Sequence, residues 1–107
     1  VPDLARFARE VTDGSLLSPE LQAQRLATTT FTGIPLDVGY GLGVLNMNDL
    51  IGHNGDITGG GGTMLRLPAQ DATFVVLVNL STNGENSSGE ITNALIDDLY
   101  PGESVHR

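Results

Sequence analysis

The chain has 107 residues, of which 39% are hydrophobic, with no cysteine and a net charge of −8. This length suits one small domain, and the lack of cysteine excludes disulfides, thiolate zinc sites and a cysteine nucleophile. Thirteen acidic residues against five arginines argue against nucleic acid as a partner, and no run approaches the ~20 apolar residues of a membrane span.

The first part of the chain predicts two helices. Apolar residues recur at i, i+3, i+4 and i+7 over residues 3–11, which predicts an amphipathic helix that ends at Gly14 in a left-handed cap. Ser18 as N-cap, followed by proline, predicts a second helix over residues 19–26. The stretch over residues 28–35 is expected to be irregular or briefly extended.

From residue 39 onward the sequence has the pattern of strands joined by turns. Four strands are predicted, over residues 40–47, 50–56, 63–67 and 73–80. The glycines at 59–62 predict a flexible crossing, and residues 68–71 predict a turn. The run at 74–78 is apolar without alternation, so we expect this strand to be covered on both faces.

A last amphipathic helix is predicted after a polar loop at residues 81–89. Its apolar face is marked by Ile91, Leu95, Ile96 and Leu99. The sequence therefore predicts an α+β fold, one half of an α/β sandwich, with an antiparallel sheet of about four strands. We expect the C-terminal helix to pack on this sheet, and the two N-terminal helices to precede the sheet in the chain. One helix covers one face only, so we expect the other face to need a further segment.

Glycine-punctuated motifs lie in the sheet region. They are Tyr-Gly-Leu-Gly at residues 40–43, Gly-His-Asn-Gly at 52–55, the glycines at 59–62, and two apolar runs that end at Asn79. This series resembles the C-terminal portion of the serine β-lactamase and D-alanyl-D-alanine carboxypeptidase superfamily, the penicillin-recognising serine hydrolases, with His-x-Gly in place of Lys-Thr-Gly. The resemblance covers nearly the whole chain and is weakest over residues 28–37. It implies one C-terminal segment, with a helical lead-in at 1–38 and the sheet and last helix at 39–107.

The resemblance implies a reaction and assigns residues to it. Such enzymes form an acyl-enzyme on a serine, and two backbone N–H groups stabilise the oxyanion. The expected catalytic groups are His53, as a polar or cationic donor that lines the pocket, and the backbone N–H of Asp56 in the oxyanion hole. Asn54 and Gly55 are expected to bind substrate, because Gly55 has no Cβ to block the strand edge. The Asp56 carboxylate departs from the small or hydroxyl side chains frequent at this position, which argues against recognition of a substrate carboxylate.

The two motifs that begin this reaction are absent. The chain has no lysine, so Ser-x-x-Lys cannot occur, and neither Tyr40 nor Tyr100 begins a Tyr-x-Asn triplet. In the family both motifs precede the region seen here, and the chain opens without methionine at a helix start. We therefore expect a C-terminal fragment that is inactive alone and is completed by an N-terminal portion on the same or a second chain.

The sequence is compatible with two functions. The first is a serine hydrolase that acts on β-lactam, D-amino acid peptide, amide or ester substrates. The second is a stand-alone, non-catalytic module that binds peptide or cell-wall fragments along the strand edge at His53. The spacing of His53, His106 and the acids does not fit metal ligands, and neither metal nor cofactor is expected. The expected partners are a small-molecule or peptide substrate and the missing N-terminal portion. The resemblance also suggests a periplasmic or secreted bacterial protein.

Overall fold

The computed structural model describes residues 1–30, 32–33, 38–80 and 87–105. Within these ranges the helices are α1 (Pro2–Asp13), α2 (Pro19–Leu26) and α3 (Ser87–Leu99). The strands are β1 (Thr29–Thr30), β2 (Val38–Tyr40), β3 (Leu45–Met47), β4 (Leu50–Ile57), β5 (Gly60–Leu67) and β6 (Ala72–Val78). They form one antiparallel sheet in chain order, β1 to β6. The α+β prediction is confirmed, with six strands where about four were expected.

The two N-terminal helices begin and end close to the predicted residues. Gly14 ends α1 with a φ of 80°, a left-handed conformation that glycine adopts at little cost. The Oγ of Ser18 accepts a hydrogen bond from the N–H of Leu21 at 3.4 Å, at the start of α2. Gln22 then donates from Nε2 to the carbonyl oxygen of Val11 at 2.7 Å. This bond ties α2 to the last turn of α1.

The first predicted strand is in fact two strands joined by a turn. Tyr40 ends β2 and Leu45 begins β3, and the two residues pair with each other. In the turn, the N–H of Gly41 donates to the carbonyl oxygen of Val44 at 2.8 Å, and Gly43 has a φ of 74°. The Gly-x-Gly spacing was the sequence signal for this turn, because glycine takes a positive φ without steric cost.

The glycines predicted as a flexible crossing belong mostly to a strand, which corrects that prediction. Residues 60–62 open β5 and pair with residues 55–57 of β4. Gly59, with a φ of 90°, lies in the turn between the two strands. Cross-strand hydrogen bonding orders a glycine run that has no side chains to specify its conformation. The predicted turn at residues 68–71 is confirmed as a short 3-10 turn, Pro68–Gln70.

The main hydrophobic core lies between the sheet and α3. Its buried members are Leu50, Leu65, Leu67, Phe74 and Ile96. They come from β4, β5, β6 and α3, so the core joins the three longest strands to the last helix. Full burial of such side chains contributes about 1.5–3 kcal/mol each, which makes this face the principal source of stability.

The buried side of α3 differs from the predicted side. Ile96 is fully buried, as expected. Three other predicted members of the apolar face are exposed: Ile91, Leu95 and Leu99. The helix instead turns Ser88 and Thr92 to the sheet. The hydroxyls of Ser88 and Thr63 form a buried hydrogen bond of 2.8 Å, which removes the cost of burying them at this position.

The helix α1 packs on β4, β5 and β6 from the side of the sheet opposite to the core. Side chains alternate along a strand, so Leu77 of β6 points away from the core face that Phe74 occupies. Leu77 is 54% exposed and Phe7 of α1 is 48% exposed. The expectation that β6 is covered on both faces is therefore wrong at Leu77, because α1 covers only part of this side.

Candidate functional site

The four predicted site residues, His53 to Asp56, are consecutive on β4. They pair in register with residues 64 to 61 of β5. Because side chains alternate, His53 and Gly55 face the α1 side of the sheet, whereas Asn54 and Asp56 face the α3 side. The structure thus brings the four residues together on one strand but divides their side chains between two faces. The role expected of Asp56 concerns its backbone N–H, which does not depend on the face of its side chain.

One edge of β4 is open at these residues. The pairing of β3 with β4 stops at Gly52, opposite Leu45, whereas β5 pairs with β4 as far as Ile57. In the part of the chain that the structure describes, residues 53–57 therefore have a strand partner on one side only. An open edge presents backbone N–H and C=O groups that can bind an extended ligand.

The two glycines of the Gly-His-Asn-Gly motif meet different surroundings. A Cβ added to Gly52 would overlap the carbonyl oxygen of Met64 on the neighbouring strand. A Cβ added to Gly55 would meet no heavy atom within 4 Å. Gly52 is therefore needed for strand packing, whereas Gly55 leaves open space beside the proposed substrate-binding edge.

The side chain of His53 is held by two hydrogen bonds. Its Nε2 lies 2.8 Å from the hydroxyl oxygen of Tyr40, and its Nδ1 lies 2.5 Å from the carbonyl oxygen of Asn54. The rings of Tyr40 and His53 meet edge to face, with 5.6 Å between their centroids. The sequence predicted no site role for Tyr40. The Tyr-Gly-x-Gly motif that contains Tyr40 was visible in the sequence. The residue that Tyr40 contacts could not be identified without the strand register.

An apolar groove of about 620 Å³ runs along this side of the sheet beside the site. Its apolar walls include Leu4 and Phe7 of α1, Ile57 at the end of β4, and Leu77 of β6. His53 also lines the groove. A polar ring at the border of an apolar concavity is the usual composition of a site that orients a ligand.

The two carboxylates with displaced pKa values lie at the surface, Asp13 at the end of α1 and Asp71 in the turn before β6. The backbone N–H of Ser15 beside Asp13 lowers the pKa of that carboxyl group. Arg66, which forms an ion pair and a hydrogen bond with Asp71, lowers the pKa of Asp71. Both carboxylates are exposed, and neither lines the groove. These shifts reflect structural contacts at the surface.

The described residues contain no group of three or more His, Asp or Glu side chains that could hold a metal ion. His106, the other histidine of the chain, lies outside the described residues. The expectation that the protein uses neither metal nor cofactor stays a prediction. Among the helices that the structure describes, none is both long and apolar enough to span a membrane.

Comparison with protein families finds one match that covers most of the chain. The family described as Beta-lactamase matches residues 1–98. The match includes α1, α2, the whole sheet and nearly all of α3. No curated protein matches the chain.

Proposed function

The chain belongs to the beta-lactamase family, and we propose that it supplies one wall of a serine hydrolase active site. The nucleophilic serine and its lysine come from a segment outside this sequence, since the chain contains no lysine. The substrates are carboxylic acid derivatives that can acylate a serine: β-lactams, D-amino acid peptides, amides or esters. The chain alone is inactive.

The open edge of β4 at residues 53–57 is the observation that carries this proposal. An acyl group that lies along the edge meets backbone N–H groups, and we assign that of Asp56 to the oxyanion hole. The vacant space beside Gly55 lets the substrate approach the strand without contact with a side chain. Backbone donors on a paired strand are held rigidly, which is what stabilisation of a developing oxyanion requires.

The apolar groove supports docking of the missing N-terminal portion. Phe7, Ile57 and Leu77 are each about half exposed or more, although they line one concave surface. Removing such surface from water is favourable by roughly 25 cal/mol per Å² of apolar area, against which the entropy lost on association is set. His53 lines the groove, so a segment bound there lies beside the open edge of β4.

The open edge also supports a second function, that of a non-catalytic binding module. Strand addition uses backbone hydrogen bonds for affinity and needs no nucleophile. In that case a peptide binds along residues 53–57 of the isolated chain. The two functions differ in one respect that can be measured: only the hydrolase requires the N-terminal portion.

The test compares the full-length protein with the 107-residue chain. Both are incubated with a fluorophosphonate probe, a chromogenic cephalosporin and a short acyl ester. If the protein is a hydrolase, the probe labels a serine outside this chain, at least one substrate turns over, and His53→Ala slows turnover. The control is Gln70→Ala, in the exposed turn before β6. A full-length protein without labelling or turnover, whose isolated chain binds a peptide at residues 53–57, would establish the binding module instead.

A further inference from the structure

The hydrogen bonds of His53 determine which ring nitrogen carries the proton. The partner of Nδ1 is the carbonyl oxygen of Asn54, which can only accept. Nδ1 must therefore carry a hydrogen. In the neutral ring, Nε2 then has only a lone pair, and the hydroxyl of Tyr40, 2.8 Å away, must donate to it. The two contacts together are compatible with one neutral tautomer.

We propose that Tyr40 is a positioning residue that holds His53 in the Nδ1–H tautomer and sets the orientation of its ring. The carbonyl oxygen of Asn54 restrains one side of the ring and the Tyr40 hydroxyl restrains the other. The edge-to-face contact between the two rings, at 86°, adds a preferred geometry. The importance of this contact for catalysis rests on the proposed function, whereas the tautomer does not.

The backbone around Tyr40 is held so that its side chain can reach His53. A Cβ on Gly39 would overlap the side chain of Thr28, and a Cβ on Gly41 would overlap the carbonyl oxygen of Arg25 at the end of α2. The N–H of Leu42 donates to that same carbonyl at 3.0 Å. The two flanking glycines therefore allow a close approach that fixes the end of β2. A ring carried on a fixed backbone loses less freedom when it makes its hydrogen bond.

This arrangement changes how His53 can act on a ligand. The neutral ring has both nitrogens engaged, so it has no N–H left to donate. A ligand can take a hydrogen bond from Nε2 only after that nitrogen gains a proton and the ligand takes the place of the Tyr40 hydroxyl. Tyr40 therefore controls the availability of the His53 ring as a donor.

The tautomer can be measured on the 107-residue chain with ¹⁵N-labelled histidine. Long-range ¹H–¹⁵N correlation distinguishes a protonated ring nitrogen from an unprotonated one, and His106→Gln assigns the two histidine signals. We expect a protonated Nδ1 and an unprotonated Nε2 for His53 above the pH at which the ring becomes neutral. Tyr40→Phe should convert this pattern to a mixture of tautomers. The matched control, Tyr100→Phe at the other tyrosine of the chain, should keep the wild-type pattern.

Two results would overturn the inference. One is an Nε2–H tautomer in the wild-type chain. The other is a pattern that Tyr40→Phe leaves unchanged while the backbone amide spectrum shows an intact fold. These NMR measurements involve no hydrolysis. A full-length protein without activity would therefore contradict the proposed function, whereas only the NMR spectra decide the tautomer of His53.

Kinetics on the full-length protein test the positioning role itself. Tyr40→Phe should lower kcat/KM about fivefold, the equivalent of one neutral hydrogen bond of about 1 kcal/mol. Tyr100→Phe should leave kcat/KM per folded molecule unchanged. An active enzyme in which Tyr40→Phe mixes the tautomers but does not alter kcat/KM would show that Tyr40 does not position a catalytic group.

Discussion

The hydroxyl oxygen of Tyr40 lies 2.8 Å from Nε2 of His53, although the two residues are thirteen positions apart in the sequence. They belong to β2 and β4, and β3 lies between these strands in the sheet. Tyr40 pairs with Leu45, and Leu45 pairs with Gly52, the residue before His53. The strand register therefore brings the Tyr-Gly-x-Gly motif beside the His-x-Gly motif, and the hydroxyl of Tyr40 reaches His53 from the end of β2.

Replacement of His53 by alanine should reduce catalysis more than stability. The side chain is partly exposed, and loss of its hydrogen bonds should cost about 0.5–1.5 kcal/mol each. Loss of a group that donates directly to transition-state charge costs about 2.7–4 kcal/mol. His53 does not contact that charge directly, so we expect His53→Ala to cost an amount at or below the lower end of this range. Asn54→Ala should cost less still. The measurements are Tm and kcat/KM of the full-length protein. A large fall in Tm with normal turnover per folded molecule would mean that His53 is a structural residue.

The isolated chain should show no serine hydrolase activity. A serine hydroxyl without an adjacent base is a weak nucleophile at neutral pH, and the chain has no lysine. The purified chain is incubated with a chromogenic cephalosporin and a short acyl ester, and then examined by mass spectrometry. Turnover together with an acyl group bound to a serine of this chain would contradict the prediction.

Two glycine substitutions should separate packing from access to the site. Gly52→Ala forces a Cβ onto the carbonyl oxygen of Met64 and should destabilise the fold, at or above the upper end of about 1–3 kcal/mol. Gly55→Ala meets no neighbouring atom, so its Tm should stay close to wild type. In the full-length protein the added methyl of Gly55→Ala should raise KM. Equal stability losses at both positions would show that the edge at Gly55 is not open.

The apolar groove should make the isolated chain bind a hydrophobic dye. Leu77 and Ile57, 54% and 76% exposed, both line the groove. The double variant Leu77→Ser with Ile57→Ser should reduce dye fluorescence, with little loss of stability because both side chains are already exposed. Leu42→Ser is the matched control, since Leu42 is exposed and does not line the groove. A monomer that melts cooperatively and binds no dye would show that the groove does not need another segment to cover it.

The ion pair of Arg66 with Asp71 should contribute to stability at neutral pH and lose that contribution in acid. Arg66 lowers the pKa of Asp71 in the folded state. A lowered folded-state pKa favours folding when the carboxyl group is ionised, and the contribution disappears as the pH falls through that pKa. Asp71→Asn should flatten the acid limb of a plot of unfolding free energy against pH. High salt should reduce the difference in unfolding free energy between the wild-type chain and Asp71→Asn, because the carboxylate of Asp71 is exposed and its charge is screened. Parallel acid limbs at low salt would contradict the prediction.

The amino-acid sequence by itself determined most of the local elements and the resemblance to the family. Ser18 with its following proline, and Gly14, predicted where α2 begins and α1 ends, because caps are made by neighbours in sequence. Apolar periodicity identified the α+β class, and the His-x-Gly motif placed His53 on a strand. The roles of His53, Asn54, Gly55 and Asp56 in the reaction stay predictions.

Other features were decided only by the tertiary structure. Glycines 60–62 became strand because β4 supplies their partners. Helix α3 buries Ser88 and Thr92 because each finds a hydrogen-bond partner: the hydroxyl of Thr63 for Ser88, and the carbonyl oxygen of Ser88 for the hydroxyl of Thr92. The open edge of β4 and the contact between Tyr40 and His53 depend on strand register. Such features join residues distant in sequence, and no local propensity encodes which of them will meet.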